Sequence, residues 1–244
     1  MNLIKRSQTG LYRFETTQWT IVMSASSDSE ESREALEQLY VKYWHPLYAY
    51  IRSKGYNVED AEDLIQSFFA KLIEKKYLKI VSRERGRFRT FLLTSMKRFM
   101  SNDWHRRHAR KRKEAYPHLS LDFEAAEIRF QTVSSSNLTP DIIYQRQWAI
   151  SLINEVMKDM QAEAAEKGKE KVFSHLREFI SGGPSGIPYH RVAEEIGMNE
   201  GAIKVAVHRL RKRFGERLRD KIAQTVRSPE EVEEEIHSLF MIFG

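Results

Sequence analysis

Apolar residues in this chain recur every three to four positions and show no sustained alternation, so the pattern predicts helix after helix and no sheet. The first stripe runs from Ser32 to about Gly55 through Leu36, Leu39, Tyr40, Tyr43, Trp44, Leu47, Tyr48 and Ile51. Pro46 falls inside it and is expected to kink or break the helix, because proline removes one backbone donor and crowds the preceding turn. Asn57 suits the N-cap of a second helix that buries Ala61, Leu64, Ile65, Phe68, Phe69, Leu72 and Ile73. Glu59, Asp60, Glu62 and Asp63 occupy its first turn, where the positive end of the helix dipole favours acids. Beyond a loop through Gly86, a long helix is expected from about Thr90 to Lys113, apolar at Phe91, Leu92, Met96, Phe99 and Met100 and then basic. These helices can close around one core.

The expected organisation is an N-terminal extension over 1–29 and a first helical domain over 30–113. Residues 114–138 lose the periodicity, end in Ser134-Ser135-Ser136-Asn137 and read as a linker. A second domain, 139–224, opens with Thr139 as N-cap and Pro140 at the first helical position. Ile142, Ala149, Leu152, Ile153, Val156 and Met160 mark the inner face of its first helix. Another helix carries Val172, Phe173, Leu176, Phe179 and Ile180 and stops at the glycine-rich stretch Gly182 to Gly186. Residues 225–244 form an acidic tail. Within it Ser228 and Glu231 suit a capping box, and Val232, Ile236, Leu239 and Phe243 an amphipathic stripe. The fold class is all-α: two small helical domains joined by a linker, the second ending in a helix-turn-helix.

That last motif is the most specific local signal. A helix-turn-helix needs a small residue where the helices cross, a glycine at the turn and apolar residues that lock the pair. Ala193 and Gly197 fill the first two roles, and Val192, Ile196, Met198, Ile203 and Ala206 fill the rest. Asn199 caps the second helix, which carries Glu200, Lys204, His208, Arg209, Arg211, Lys212 and Arg213. An ordinary antiparallel helix pair would not require this combination with a basic second helix.

Charge sharpens the picture. The 244 residues hold 40 Lys+Arg and 34 Asp+Glu, a net +6, but the cations are concentrated. From Arg83 to Lys113 twelve Lys/Arg face two acids, and from Glu200 to Lys221 eight face three. Such segregation points to a polyanion, since a merely solvated helix face mixes signs. In the first block, Phe99 reads as core, whereas Trp104 suits either the core or a surface that stacks an unpaired base. No cysteine is present, which removes disulfides and thiolate zinc sites. No apolar run spans a bilayer, and the expected compartment is the cytoplasm.

Together these residues resemble a sigma factor of bacterial RNA polymerase, of the small extracytoplasmic-function type within the sigma-70 family. Leu39-Tyr-Val-Lys-Tyr-Trp-His-Pro-Leu-Tyr48 is similar to the opening helix of the second conserved region. Ala61-Glu-Asp-Leu-Ile-Gln-Ser-Phe-Phe69 resembles the segment that docks on the largest polymerase subunit. Gly86-Arg-Phe-Arg-Thr-Phe-Leu-Leu93, continuing into the basic run, resembles the element that melts and reads the −10 promoter segment. The helix-turn-helix ending in Val207-His-Arg-Leu-Arg-Lys-Arg213 resembles the fourth region, which reads the −35 segment. A linker longer than usual and the acidic tail depart from the common form.

The resemblance implies polymerase contacts from Asp60, Asp63, Leu64, Gln66 and Phe69, although Leu64 and Phe69 serve equally well as core. It implies −10 contacts from Arg87, Arg89, Asn102, Trp104, Arg106, Arg107 and Arg110, with flipped bases captured near Ile80 to Gly86. The −35 set is Asn199, Glu200, Lys204, His208, Arg209, Arg211, Lys212 and Arg213. Partners would be core RNA polymerase and promoter DNA, duplex and melted, with an anti-sigma factor or another regulator as a further candidate. No cofactor, metal or catalytic residue is implied, and the eight scattered histidines form no ligand motif. Two rivals remain: a helix-turn-helix repressor or activator that acts by occupying an operator, and an interaction protein whose charge is incidental.

Overall fold

The computed structural model describes residues 30–74, 87–107, 122–134, 138–180 and 187–243, and every regular element among them is helical. Nine α-helices follow in order: α1 Glu30–Ser53, α2 Val58–Glu74, α3 Phe88–Arg107, α4 Phe123–Ser134, α5 Pro140–Glu166, α6 Glu170–Leu176, α7 Tyr189–Ile196, α8 Glu200–Ala223 and α9 Glu231–Met241, with a short 3₁₀ turn Arg177–Phe179 after α6. The expected N-terminal extension, the loop through Gly86, the basic stretch beyond Arg107 and the glycine-rich stop after Phe179 lie outside the described residues.

Local chemistry sets the boundaries as expected at three caps. The Asn57 side chain accepts the Asp60 N–H at 2.7 Å, Thr139 accepts that of Ile142 at 3.4 Å, and Asn199 accepts that of Ala202 at 2.7 Å. The structure departs from the pattern elsewhere. Pro46 neither ends nor splits α1, which runs unbroken over 24 residues. Tyr43, Leu47, Tyr48 and Ile51, on either side of it, are all buried in one core, and that burial outweighs a local cost of about 3 kcal/mol.

Within the stretch read as linker stands α4, capped by the Asp122 side chain on the Ala125 N–H at 2.9 Å. Ala126 and Phe130 are its buried residues, and Glu127 takes bonds from Arg52 and from the Tyr48 hydroxyl at 2.6–2.8 Å. On α5 the inward position is Ile143, with Tyr144, Gln147 and Trp148, while Ile142 is exposed.

The large core gathers α1, α2 and α3 around Leu47, Ile51, Leu64, Ile65, Leu92 and Met96, and it includes Tyr144, Trp148 and Leu152 of α5. Its rim takes in Ile222 and Ala223 at the end of α8, then Val226, then Val232 and Leu239 of α9. A smaller core of Leu176, Phe179, Val192, Ala193, Ile203 and Val207 holds the helix-turn-helix. Val156, Met160 and Phe173, with Phe214 and Leu218 against them, connect the two. The segments expected on either side of a linker therefore pack directly on each other. Lys221 of α8 pairs with Glu155 at 2.6 Å and Asp159 at 2.9 Å, and Lys42 of α1 reaches the same Glu155 at 3.1 Å.

Candidate nucleic-acid interface

The helix-turn-helix forms as the sequence requires. Gly197 ends α7 at φ +70°, a left-handed conformation that side chains disfavour. The following Met198 N–H returns to the Ala193 carbonyl at 2.9 Å. Val192, Ala193, Ile203 and Val207 are buried, and Ile196, Met198 and Ala206 pack around them. This leaves the outer face of α8 in solvent.

On that face Lys204, His208 and Arg211 recur at helical spacing, with Val205, Arg209 and Lys212 on the adjoining strip; all six are exposed. Lys204 pairs with Glu200 at 2.7 Å, which lowers the glutamate pKa and raises that of the lysine. Both are surface groups, and a surface pair of this kind yields readily to a phosphate. Lys212 lies 4.0 Å from Glu216.

Two expected contacts have structural work instead. Arg211 Nε donates to the Phe179 carbonyl at 2.8 Å, closing the 3₁₀ turn. Arg213 pairs with Glu163, as do Arg217 and Lys167, which ties α8 to α5. The Glu163 carboxyl is held below its usual range, first by its bond from Lys167. Val205, 49% exposed, was not singled out by its chemistry in the sequence; an apolar group there can meet a thymine methyl.

The second basic block is arranged differently. Asn102 is exposed on α3. Trp104, Arg106 and Arg107 fall in its last turns with side chains outside the description, and Arg110 lies outside the described residues. Arg89, in the first turn of α3, is buried, and Arg87 just before it is partly exposed. Arg89 is 3% exposed; its Nε donates to Gln145 at 2.8 Å, and its guanidinium lies 4.2 Å from the Trp148 ring centre. Both arginines face Glu235 of α9.

The acidic start of α2 presents Asp63 in solvent and Asp60 and Gln66 half-buried. Leu64 and Phe69 are core: Leu64 is sealed, and Phe69 meets Tyr40 edge to face at 4.4 Å. Glu62 has its pKa raised by burial and by its neighbours Asp63 and Glu59. Among the described residues no cluster of His, Asp and Glu is arranged to hold a metal, and no helix is long and apolar enough to cross a membrane.

Among the described residues, a formed helix-turn-helix thus presents a cationic outer face, the geometry that suits that motif to a polyanion. Residues 39–111, from α1 through the end of α3, match the family model of sigma-70 region 2. No curated protein and no solved structure matches the chain. That match covers less than half of the chain and marks this segment as similar to region 2 of sigma-70 factors.

Proposed function

We propose that this protein is an extracytoplasmic-function-type sigma factor that binds core RNA polymerase and directs it to promoters by reading −10 and −35 elements. The observation that carries this reading is the coexistence of a region 2 match over 39–111 with a separate, capped helix-turn-helix at 189–223. Residues 30–113 would act as the polymerase- and −10-binding module, and 139–224 as the −35 module.

The chemistry assigns the roles. Asp60, Asp63 and Gln66 are the polar groups of α2 through which polymerase would be bound, since Leu64 and Phe69 are committed to the core. Lys204, Arg209 and Lys212 neutralise phosphates or meet guanine edges, and His208 and Val205 lie beside them in the major groove. Asn199 and Glu200 open the helix that enters that groove. On the −10 side, Asn102 and the cations at the end of α3 approach the separated strands. Opening a few base pairs costs a few kcal/mol for each flipped base, offset by phosphate contacts and stacking.

The test is co-elution with core polymerase on size exclusion. A stoichiometric complex, weakened when Asp63 and Gln66 are replaced by alanine, is the expected result. An operator-binding repressor would bind a palindrome by itself and never join the enzyme.

A further inference from the structure

The outer face of α8 is not uniformly cationic. Ile203 and Val207 are buried and Leu210 packs beside them, which fixes the inner side of the helix. At about 3.6 residues per turn, the positions directly opposite are Gly201, Val205, His208 and Lys212, a single row. All four are exposed. Lys204 lies on one margin of this row and Arg209 on the other. Lys204 pairs at 2.7 Å with Glu200, one turn back along its own margin, and Arg211 is tied to the Phe179 carbonyl. At Gly201 a Cβ would come within 3.3 Å of the Asn199 Oδ1 that caps the helix. Glycine there keeps both the cap and a bare first turn, the part of a recognition helix that meets base edges.

Phosphates line the rims of the major groove and base edges form its floor. A helix laid in the groove therefore turns its margins to the phosphates and its central row to the bases. Lysine and arginine on the margins suit the rims. Val205 is 49% exposed and has no hydrogen-bonding group in its side chain, so on the floor it complements the one apolar feature there, the thymine C5-methyl. Three residues on, the His208 ring offers an N–H donor in either tautomer, which suits the N7 acceptor of a purine. The two residues are about 4.5 Å apart along the helix axis, close to the ~3.4 Å spacing of bases along one strand, so they face neighbouring base pairs.

We propose that sequence discrimination by this helix-turn-helix rests on Val205 and His208, whereas Lys204 and Arg209 grip the phosphates on either side and supply affinity without sequence. Val205 reads the methyl of a T·A pair. His208 reads N7 of the next base pair, whose purine lies on the strand that the ring faces. The proposal rests on the promoter-directing function given above and goes beyond it by naming the bases and the two residues that select them.

Duplexes selected from a random library by the full-length protein with core polymerase supply the probe. Each thymine is replaced in turn by deoxyuridine, which lacks only the methyl, and each purine by its 7-deaza analogue, which lacks N7. Binding of the same complex is then read by fluorescence anisotropy. At one thymine, loss of the methyl should weaken the wild type about fourfold. V205A, already weaker on the parent duplex, should show no further loss at that position. A neighbouring 7-deazapurine should behave in the same way toward H208A. K204A and R209A should each bind every duplex more weakly, with the logarithmic salt slope lowered by about one, and should keep both penalties. The assignment is overturned if no thymine shows a methyl penalty that vanishes in V205A, if no neighbouring purine shows an N7 penalty that vanishes in H208A, or if either penalty vanishes in K204A or R209A. A library from which polymerase with this protein enriches nothing beyond the core enzyme alone overturns the promoter-directing reading itself, and the assignment with it.

Discussion

The two cationic regions of this protein are made of the same side chains and are treated in opposite ways. On α8, Lys204, Arg209 and Lys212 stand in water, with at most a neighbouring glutamate on the same helix as partner. At the start of α3, Arg89 is buried and Arg87 partly exposed, and the two share one sealed carboxylate. The difference follows from what lies beneath. The small core under α8 closes among its own apolar residues, Phe179 stacked on Tyr189 included, and leaves the outer face unclaimed, whereas the core under α3 extends to Trp148 and draws Arg89 over its ring. A cation there is part of the packing, and in water it is available to a ligand.

Several substitutions would break or sharpen this contrast. The largest expected effect is Trp148→Ala, which empties the fully buried site beside Arg89 and should cost about 3–5 kcal/mol in denaturant unfolding. It should also destabilise the docking of α9, while the helix-turn-helix keeps its local fold.

Next comes pH. Burial, with Arg129 nearby, lowers the His45 pKa to about 4, so the folded protein keeps this ring neutral where an unfolded chain protonates it. The unfolded state then binds more protons between roughly pH 6.5 and 4, and stability falls as pH falls through that window. From pH 7 to pH 5 this group should remove about 2 kcal/mol, a decline that His45→Gln abolishes in parallel denaturant titrations. Glu127 acts lower. The Arg52 hydrogen bond, helped by Tyr48, holds its pKa down at about 2, so its contribution is present above the ordinary carboxylate range and fades as pH drops toward 2.

On the exposed side the effects shrink. Asn199→Ala removes the cap of α8 and should cost about 1 kcal/mol, read by thermal unfolding. Replacing both Lys204 and Arg209 with alanine should leave stability within about 0.5 kcal/mol of wild type. The same pair should lower the logarithmic salt slope of DNA binding by about two. A stability loss as large as that of Trp148→Ala would mean that the two regions do not differ as described.

What was legible in the sequence was local. Asn57, Thr139, Asn199 and Gly197 announce helix ends because their chemistry acts within three or four residues, and the helix-turn-helix is a local pattern throughout. The elements that escaped depend on distant partners. Among its described side chains α4 buries Ala126 and Phe130, and it is secured by Glu127 bonding to Arg52, 75 residues away, so its stretch lacks a clear period. Glu235 is one of five acids between 230 and 235, and nothing in that run marks it as the sealed one. The tail helix formed and buries Val232 and Leu239 of its expected stripe, but Phe243 falls beyond its end and is exposed, and the expected capping box is absent. Glu231 reaches back to the Arg227 N–H at 3.2 Å rather than to Ser228, because its carboxylate is also bound by the Arg227 guanidinium. Arg89 shows the same limit: the sequence places a cation beside an aromatic helix, and only tertiary packing decides whether it meets DNA or a carboxylate.

The most direct measurement is run-off transcription from a library of duplex fragments, with core RNA polymerase alone and with this protein added. The account predicts new transcripts whose start points share upstream sequence in two blocks, and their loss when Lys204 and Arg209 are both alanine. Specific binding to a palindrome, with no transcript beyond those of the core enzyme, would contradict it.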